Sequence, residues 1–261
     1  MKKILIIDDE EKLRSLLARI IKLEGFTVTE AGTLKAGTKL LEKESFDVVL
    51  CDVKLPDGNG VDFVKEIKPG FPAVEIILLT AYGNIPDGIQ AMKNGAFDYI
   101  TKGDDNDKII PLLNRAIEKA QLQNVMFASG KLSSVVTAKK APEIAVIAGL
   151  NRATAARVLM VTEAGIGTGF PFSGEKLSPV MTIYRAADFN AAARIVNDIY
   201  AYQGAGHSIG IHAAPERADA LALQLGLTLP VARVIEVRPN KEVILDGSFM
   251  PSCIDARACL P

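Results

Sequence analysis

Asp8, Asp9, Asp52, Thr80 and Lys102 are of the types that can handle a phosphoryl group together: three carboxylates, one hydroxyl and one amine. Asp8, Asp52 and Thr80 stand directly after the apolar runs ILII, VVLC and IILL, Asp9 follows Asp8, and Lys102 comes just past Tyr99 and Ile100. Three carboxylates brought to one edge repel one another, which is costly unless a divalent cation sits among them. Oxygen donors of this kind suit Mg2+, which keeps several waters and takes one or two carboxylates along with phosphate oxygens. On that chemistry Asp9 and Asp52 bind the ion directly and Asp8 acts through water. The backbone carbonyl of Lys54, two residues past Asp52, completes the set. With the ion and Lys102 neutralising developing charge, the Asp52 carboxylate can attack phosphorus and form an acyl phosphate. Thr80 could then bond a phosphate oxygen and draw its loop inward while Tyr99 changes rotamer to fill the vacated space, which makes a two-state switch.

The element that brings such residues to one edge is a parallel sheet. Apolar runs at 4–7, 27–31, 48–51, 76–79 and 99–100 read as strands. The stretches 11–23, 34–42, 60–67, 85–93 and 108–121 carry apolar residues at spacings of three and four and read as helices. Strict alternation of five strands and five helices predicts an α/β fold, a doubly wound five-stranded parallel sheet of the flavodoxin-like kind. In such folds the crevice lies at the carboxyl ends of the strands, where these five residues stand. Helix capping by Asp8, Asp9 and Thr80, with Lys102 as a solvated charge, would explain each residue singly but not their gathering at one edge. Cys51 reads as a small buried hydrophobe. Asp57, Gly58 and Gly60 are expected to shape the loop after Asp52, with Pro56 fixing a turn.

Thirty basic residues against 31 acidic ones leave no field for holding nucleic acid or an anionic membrane, so direct DNA binding is not expected. Three cysteines, Cys51, Cys253 and Cys259, have neither the number nor the spacing of a disulfide framework or a zinc site, which points to a reducing, cytoplasmic setting. The start MKKILIIDDE has too short an apolar run for a signal peptide, and nothing further on is long enough to span a bilayer.

The segments IIDDE, CDVKLPDGNG, LLTAYG and DYITKG resemble the receiver domains of bacterial two-component response regulators, over residues 1–123. The likeness is closest to receivers that precede ATPase domains in enhancer-binding regulators. It implies that Asp52 takes its phosphate from a histidine kinase or phosphotransfer protein. Gly103 stands where a proline commonly follows the lysine in that family.

The second half lacks the output domain such receivers usually carry. GIGTG at 165–169 has no following Lys and Ser or Thr to reach phosphates and magnesium, so it reads as a loop, and no helix-turn-helix is evident. Strands are expected near 158–161, 180–184, 208–212 and 231–237, and helices near 144–150, 189–203 and 216–224. FSGEKLSPVMTIYRA, YQGAGHSIGIHA and LPVARVI resemble the C-terminal part of acylating aldehyde dehydrogenases, over about residues 157–234 and more weakly back to Ser133. That likeness implies that Glu175, followed by Pro179, is the remnant of a contact to the nicotinamide ribose of NAD(P). No cysteine occurs between Asp52 and Met250, so the thiolate of that chemistry is missing. Cys253 and Cys259 read as incidental. His207 and His212, five apart on an expected strand, face opposite sides and do not share a metal.

The expected organisation is a receiver at 1–123, a linker at 124–132, a dehydrogenase-like fragment at 133–237 and an irregular tail at 238–261. The leading function is a phosphorylation-dependent switch whose only chemistry is its own phosphorylation and dephosphorylation. The alternative is an NAD(P)-dependent acylating aldehyde dehydrogenase fragment fused to a receiver and inactive as an enzyme, the join being a natural fusion, a chimera or an assembly error in the sequence. A fragment cut from a larger sheet would leave strand edges open to self-association or to docking on an intact dehydrogenase.

Overall fold

Strands β1 (Lys3–Ile7), β2 (Thr27–Ala31), β3 (Val48–Asp52), β4 (Glu75–Thr80) and β5 (Asp98–Thr101) pair in the order β2-β1-β3-β4-β5. Every neighbouring pair is parallel. The computed structural model describes residues 2–81, 83–103, 108–128, 130–150 and 156–204, with the backbone of further strands at 208–212, 233–237 and 252–255. Helices α1 (Glu11–Leu23), α2 (Leu34–Lys43), α3 (Gly60–Ile67), α4 (Ile85–Lys93) and α5 (Ile109–Met126) connect or follow these strands. This strand order is that of a flavodoxin-like doubly wound sheet.

Both faces of the sheet are apolar because successive strand residues alternate sides and both sides are covered. Leu5, Ile7, Val49, Cys51, Ile76 and Leu78 pack with Val61, Val64 and Ile67 of α3 and Leu41 of α2. Ile4, Ile6, Val48, Leu50, Ile77 and Leu79 pack with Leu17 and Ile21 of α1 and Leu113 and Ile117 of α5. Each such side chain contributes about 1.5–3 kcal/mol when fully buried, so cutting Leu50 to alanine would cost about 2–5 kcal/mol. Helix starts are fixed by polar caps: Thr33 accepts from the Ala36 N–H, Asn59 from Val61 and Asn84 from Asp87.

The expected elements of the first half are present with ends shifted by a residue or so, except that α5 continues to Met126. Its helix-forming residues run on with no glycine or proline to stop them, so 124–126 complete a helix where a linker was expected. A two-residue antiparallel ladder follows, pairing Phe127–Ala128 with Lys131–Leu132.

The second half contains α6 (Ala141–Ile147), β6 (Leu159–Thr162), β7 (Val180–Arg185), α7 (Phe189–Gln203), β8 (Ser208–His212), β9 (Arg233–Val237) and β10 (Ser252–Asp255). Pro142 in the first turn of α6 explains why this helix begins earlier than its apolar spacing suggested. Strands β6, β7 and β10 form a parallel sheet in that order, and β8 pairs with β9. Strand β10 corrects the expectation of an irregular tail: Ser252 to Asp255 lie beside Thr182 to Arg185. Four residues are too few to show a two-residue period in the sequence. The GIGTG stretch is a loop, as expected, leading to a single 3-10 turn at Pro171–Ser173. The helix expected near 216–224 lies outside the described residues. Leu122 and Met126 of α5 share a third core with Val136, Ile144, Val161, Phe172 and Val180. There the Phe127 and Phe172 rings meet edge to face at 5.2 Å between centroids.

Candidate functional site

Strand β1 is flanked by β2 on one side and β3 on the other, so the order of the sheet reverses between β1 and β3. Connections leave the two strands toward opposite faces there, which opens a crevice at their carboxyl ends. Asp8 and Asp9 follow β1, and Asp52 ends β3. The carboxylates of Asp8, Asp9 and Asp52 can all lie within 4.8 Å of one another. Asp8 and Asp52 are buried and Asp9 is exposed.

Lys102 follows β5, and its backbone N–H donates to the Thr80 carbonyl at 2.7 Å. From there its ammonium reaches back across the sheet to Asp52 Oδ2 at 2.6 Å and Asp8 Oδ2 at 2.7 Å. Burial pushes this ammonium down, but hydrogen bonds to Asp52 and Asp8 outweigh it and hold the lysine above its ordinary range. Lys102 is therefore no solvated surface charge. Three carboxylates against one ammonium leave an excess of two negative charges in an all-oxygen donor set.

The loop after Asp52 is organised by its own backbone. The Lys54 N–H donates to Asp52 Oδ1 at 3.3 Å. Residues Lys54–Leu55 pair with Gly58–Asn59. Asp57 accepts from the Leu34 and Lys35 N–H groups at 3.0 and 2.9 Å, which ties the loop to the start of α2. Those backbone bonds, the Lys35 one foremost, hold the Asp57 carboxyl below its usual range. At Gly60 a Cβ would lie 2.4 Å from the Asp52 carbonyl oxygen, so only glycine lets α3 begin this close to Asp52. The tether to α2 and the closeness of Gly60 are features that loop composition alone did not show. Arg14, also missed, donates to the Asp8 carbonyl from α1 and steadies the backbone there.

Thr80, at the end of β4 beside Thr101 of β5, is buried. Asn84, rather than Thr80, is the cap of α4. Tyr99 lies opposite Leu78, and its ring rests against Gly88 of α4. Its hydroxyl is buried and has no hydrogen-bond partner among the described residues. Burial, then the nearby Asp52 charge, pushes the Cys51 thiol well up, in keeping with an inert core residue. Glu175, in the second half, is exposed, and its N–H donates to Gln203 Oε1 at 3.1 Å. His207 and Cys259, and the side chains of His212 and Cys253, lie outside the described residues.

Residues 4–114 match the response regulator receiver domain, and they form such a domain. The response regulator protein PilR of Pseudomonas aeruginosa is 38% identical over 115 residues, 44% of this chain and 26% of that protein. The sulfoacetaldehyde dehydrogenase (acylating) of Cupriavidus necator is 52% identical over 126 residues, 48% of this chain and 25% of that protein, consistent with the C-terminal segment. A response regulator receiver domain protein from Clostridium thermocellum is 33% identical across 47% of this chain and 98% of its own, with a TM-score of 0.45. The matches span about a quarter of the length of these curated relatives. Among the described residues no helix is long and apolar enough to cross a membrane.

Proposed function

We propose that the chain is a phosphorylation-dependent switch, in which Asp52 accepts a phosphoryl group from a histidine kinase or phosphotransfer protein. The observation that carries this reading is the convergence of Asp8, Asp9 and Asp52 with Lys102 at the crevice of the sheet. The excess of two negative charges among oxygen donors fits Mg2+. Asp9 and Asp52 would hold it directly, Asp8 through water, and the Lys54 carbonyl would complete the set. Bound there, the ion would supply positive charge to the phosphoryl oxygens.

The chain's own residues do the rest. An Asp52 oxygen forms a bond to phosphorus as the bond from phosphorus to the donor's nitrogen or oxygen breaks, and that atom leaves with the electron pair. Lys102, already against Asp52, neutralises charge on the transferring group. Thr80 offers its hydroxyl to a phosphate oxygen, and Tyr99, whose hydroxyl has no hydrogen bond to lose among the described residues, moves into the space vacated. The test is the intact mass of the protein after incubation with acetyl phosphate and Mg2+. One phosphoryl group should add to the wild type and none to Asp52→Asn; no addition to either would refute the reading.

The 52% identity to an acylating dehydrogenase supports a second reading, an NAD(P)-linked enzyme under receiver control. Glu175 would then face the cofactor. The absence of any cysteine between Asp52 and Met250 weighs against it, and NAD reduction by the purified chain with an aldehyde and coenzyme A would establish it. The β6 edge, where Val158 is 40% and Met160 66% exposed, supports self-association through the second half. A cytoplasmic setting suits both readings.

A further inference from the structure

Away from the phosphorylation crevice, toward the amino-terminal end of β4, the structure buries four charges that neither reading uses. Lys68 follows α3, Glu75 opens β4, Lys119 lies on α5 and Glu163 follows β6. Glu75 is fully buried, and its two oxygens lie 3.6 Å from Lys68 Nζ and 3.5 Å from Lys119 Nζ. Lys119 Nζ also lies 3.2 Å from a Glu163 oxygen, and Glu163 is 6% exposed. Lys68 completes its shell on the Val74 carbonyl at 2.8 Å. Among these four, the first half supplies two lysines and one glutamate, which leaves it one negative charge short. Glu163, from the second half, makes the cluster neutral.

Apolar contacts surround this junction. Leu122 and Met126, one turn and two turns beyond Lys119 on α5, are buried in the core of the second half. Beside Lys68, the Phe170 ring approaches Gly95 so closely that a Cβ there would lie 3.5 Å from it. A buried charge whose partner is removed is strongly destabilising, whereas a complete cluster is tolerated.

We propose that Glu163 is the docking carboxylate that fixes the second half onto the receiver, by completing a buried cluster with Lys119, Glu75 and Lys68, so that the two halves open as one unit. The contact is specific in its chemistry: the receiver surface around Lys119 takes a carboxylate flanked by aromatic and aliphatic side chains.

The test is amide hydrogen exchange on the full chain. In the wild type, strand β7 and the receiver strand β4, which Glu75 opens, should open with the same free energy, and an independent, lower opening of β7 would overturn the proposal without any variant. In Glu163→Gln, protection of β7 should fall by at least about tenfold while β3 keeps its protection and Asp52 still takes up phosphate. The double variant Lys119→Met, Glu163→Gln should be no worse than the sum of its parts and milder than it, because the two side chains act on each other. Unchanged β7 protection in Glu163→Gln, or strictly additive losses in the double variant, would equally overturn it.

Discussion

The ammonium of Lys102 lies 2.6 Å from the carboxylate of Asp52, fifty residues earlier in the chain. The same ammonium meets Asp8, so one lysine links the ends of three strands, β1, β3 and β5. Replacing Lys102 by alanine should leave the acceptor present but without this positive charge. Phosphorylation of Asp52 by acetyl phosphate should slow by about a hundredfold, as followed by intact mass over time. A rate within a factor of about two of the wild type would separate Lys102 from the chemistry.

Crowded carboxylates should make the folded protein sensitive to divalent ions. Mg2+ binding only to the folded state would stabilise it by about 2.7 kcal/mol at a hundred times its dissociation constant. Thermal unfolding should therefore shift upward with Mg2+, and Asp9→Asn should reduce the shift. Without the ion, Asp9→Asn removes one of the mutually repelling carboxylates, so the metal-free midpoint should stay the same or rise slightly rather than fall.

Gly60 stands where helix α3 starts against the backbone of Asp52. Gly60→Ala forces a carbon onto a carbonyl oxygen that cannot swing aside. The variant should lose about 1–3 kcal/mol in urea unfolding and phosphorylate more slowly because Asp52 shifts. The substitution Gly70→Ala, where the added carbon would meet only ordinary van der Waals contact, is the matched control.

Lys176 is fully buried, and its ammonium donates to the Phe172 and Gly174 carbonyls at 2.7 and 2.6 Å. Burial brings its pKa down from 10.5 to about 8, with Glu163 and Glu175 only partly opposing. Between those two values the unfolded chain binds more protons than the folded one, so this residue makes stability rise with pH. Across that window the wild type should gain on the order of 3 kcal/mol relative to Lys176→Met, measured by urea unfolding at each pH. A flat difference between the two would show that burial does not lower the lysine's pKa and that it holds its proton as readily when folded as when unfolded.

The first half was readable because its signals agree. Runs such as ILII and VVLC predict buried strands, and the residues after them fall at one edge once the sheet is assembled. Asp8, Asp52 and Lys102 could therefore be grouped before any distance was known. The grip of Asp57 on α2 was invisible because it joins residues 22 and 23 positions apart that carry no shared pattern. Lys119 and Glu163 look like ordinary surface charges in sequence, and only packing removes them from water. Strand β10 escaped notice because SCID has little period of its own and gains its place from β7. The end of α5 was missed for a subtler reason: its last turns face a different core, so the apolar stripe changes direction near Leu122.

That change of direction has a mechanical meaning. Helix α5 has eighteen residues and so extends about 27 Å. Leu113 and Ile117 seat one end on the first sheet, and Leu122 and Met126 seat the other in a separate core. A flexible tether would let each body turn without informing the other. A continuous rod anchored at both ends cannot: any roll or tilt imposed at one seat arrives at the other as torque, and the second body must turn with it or surrender its packing.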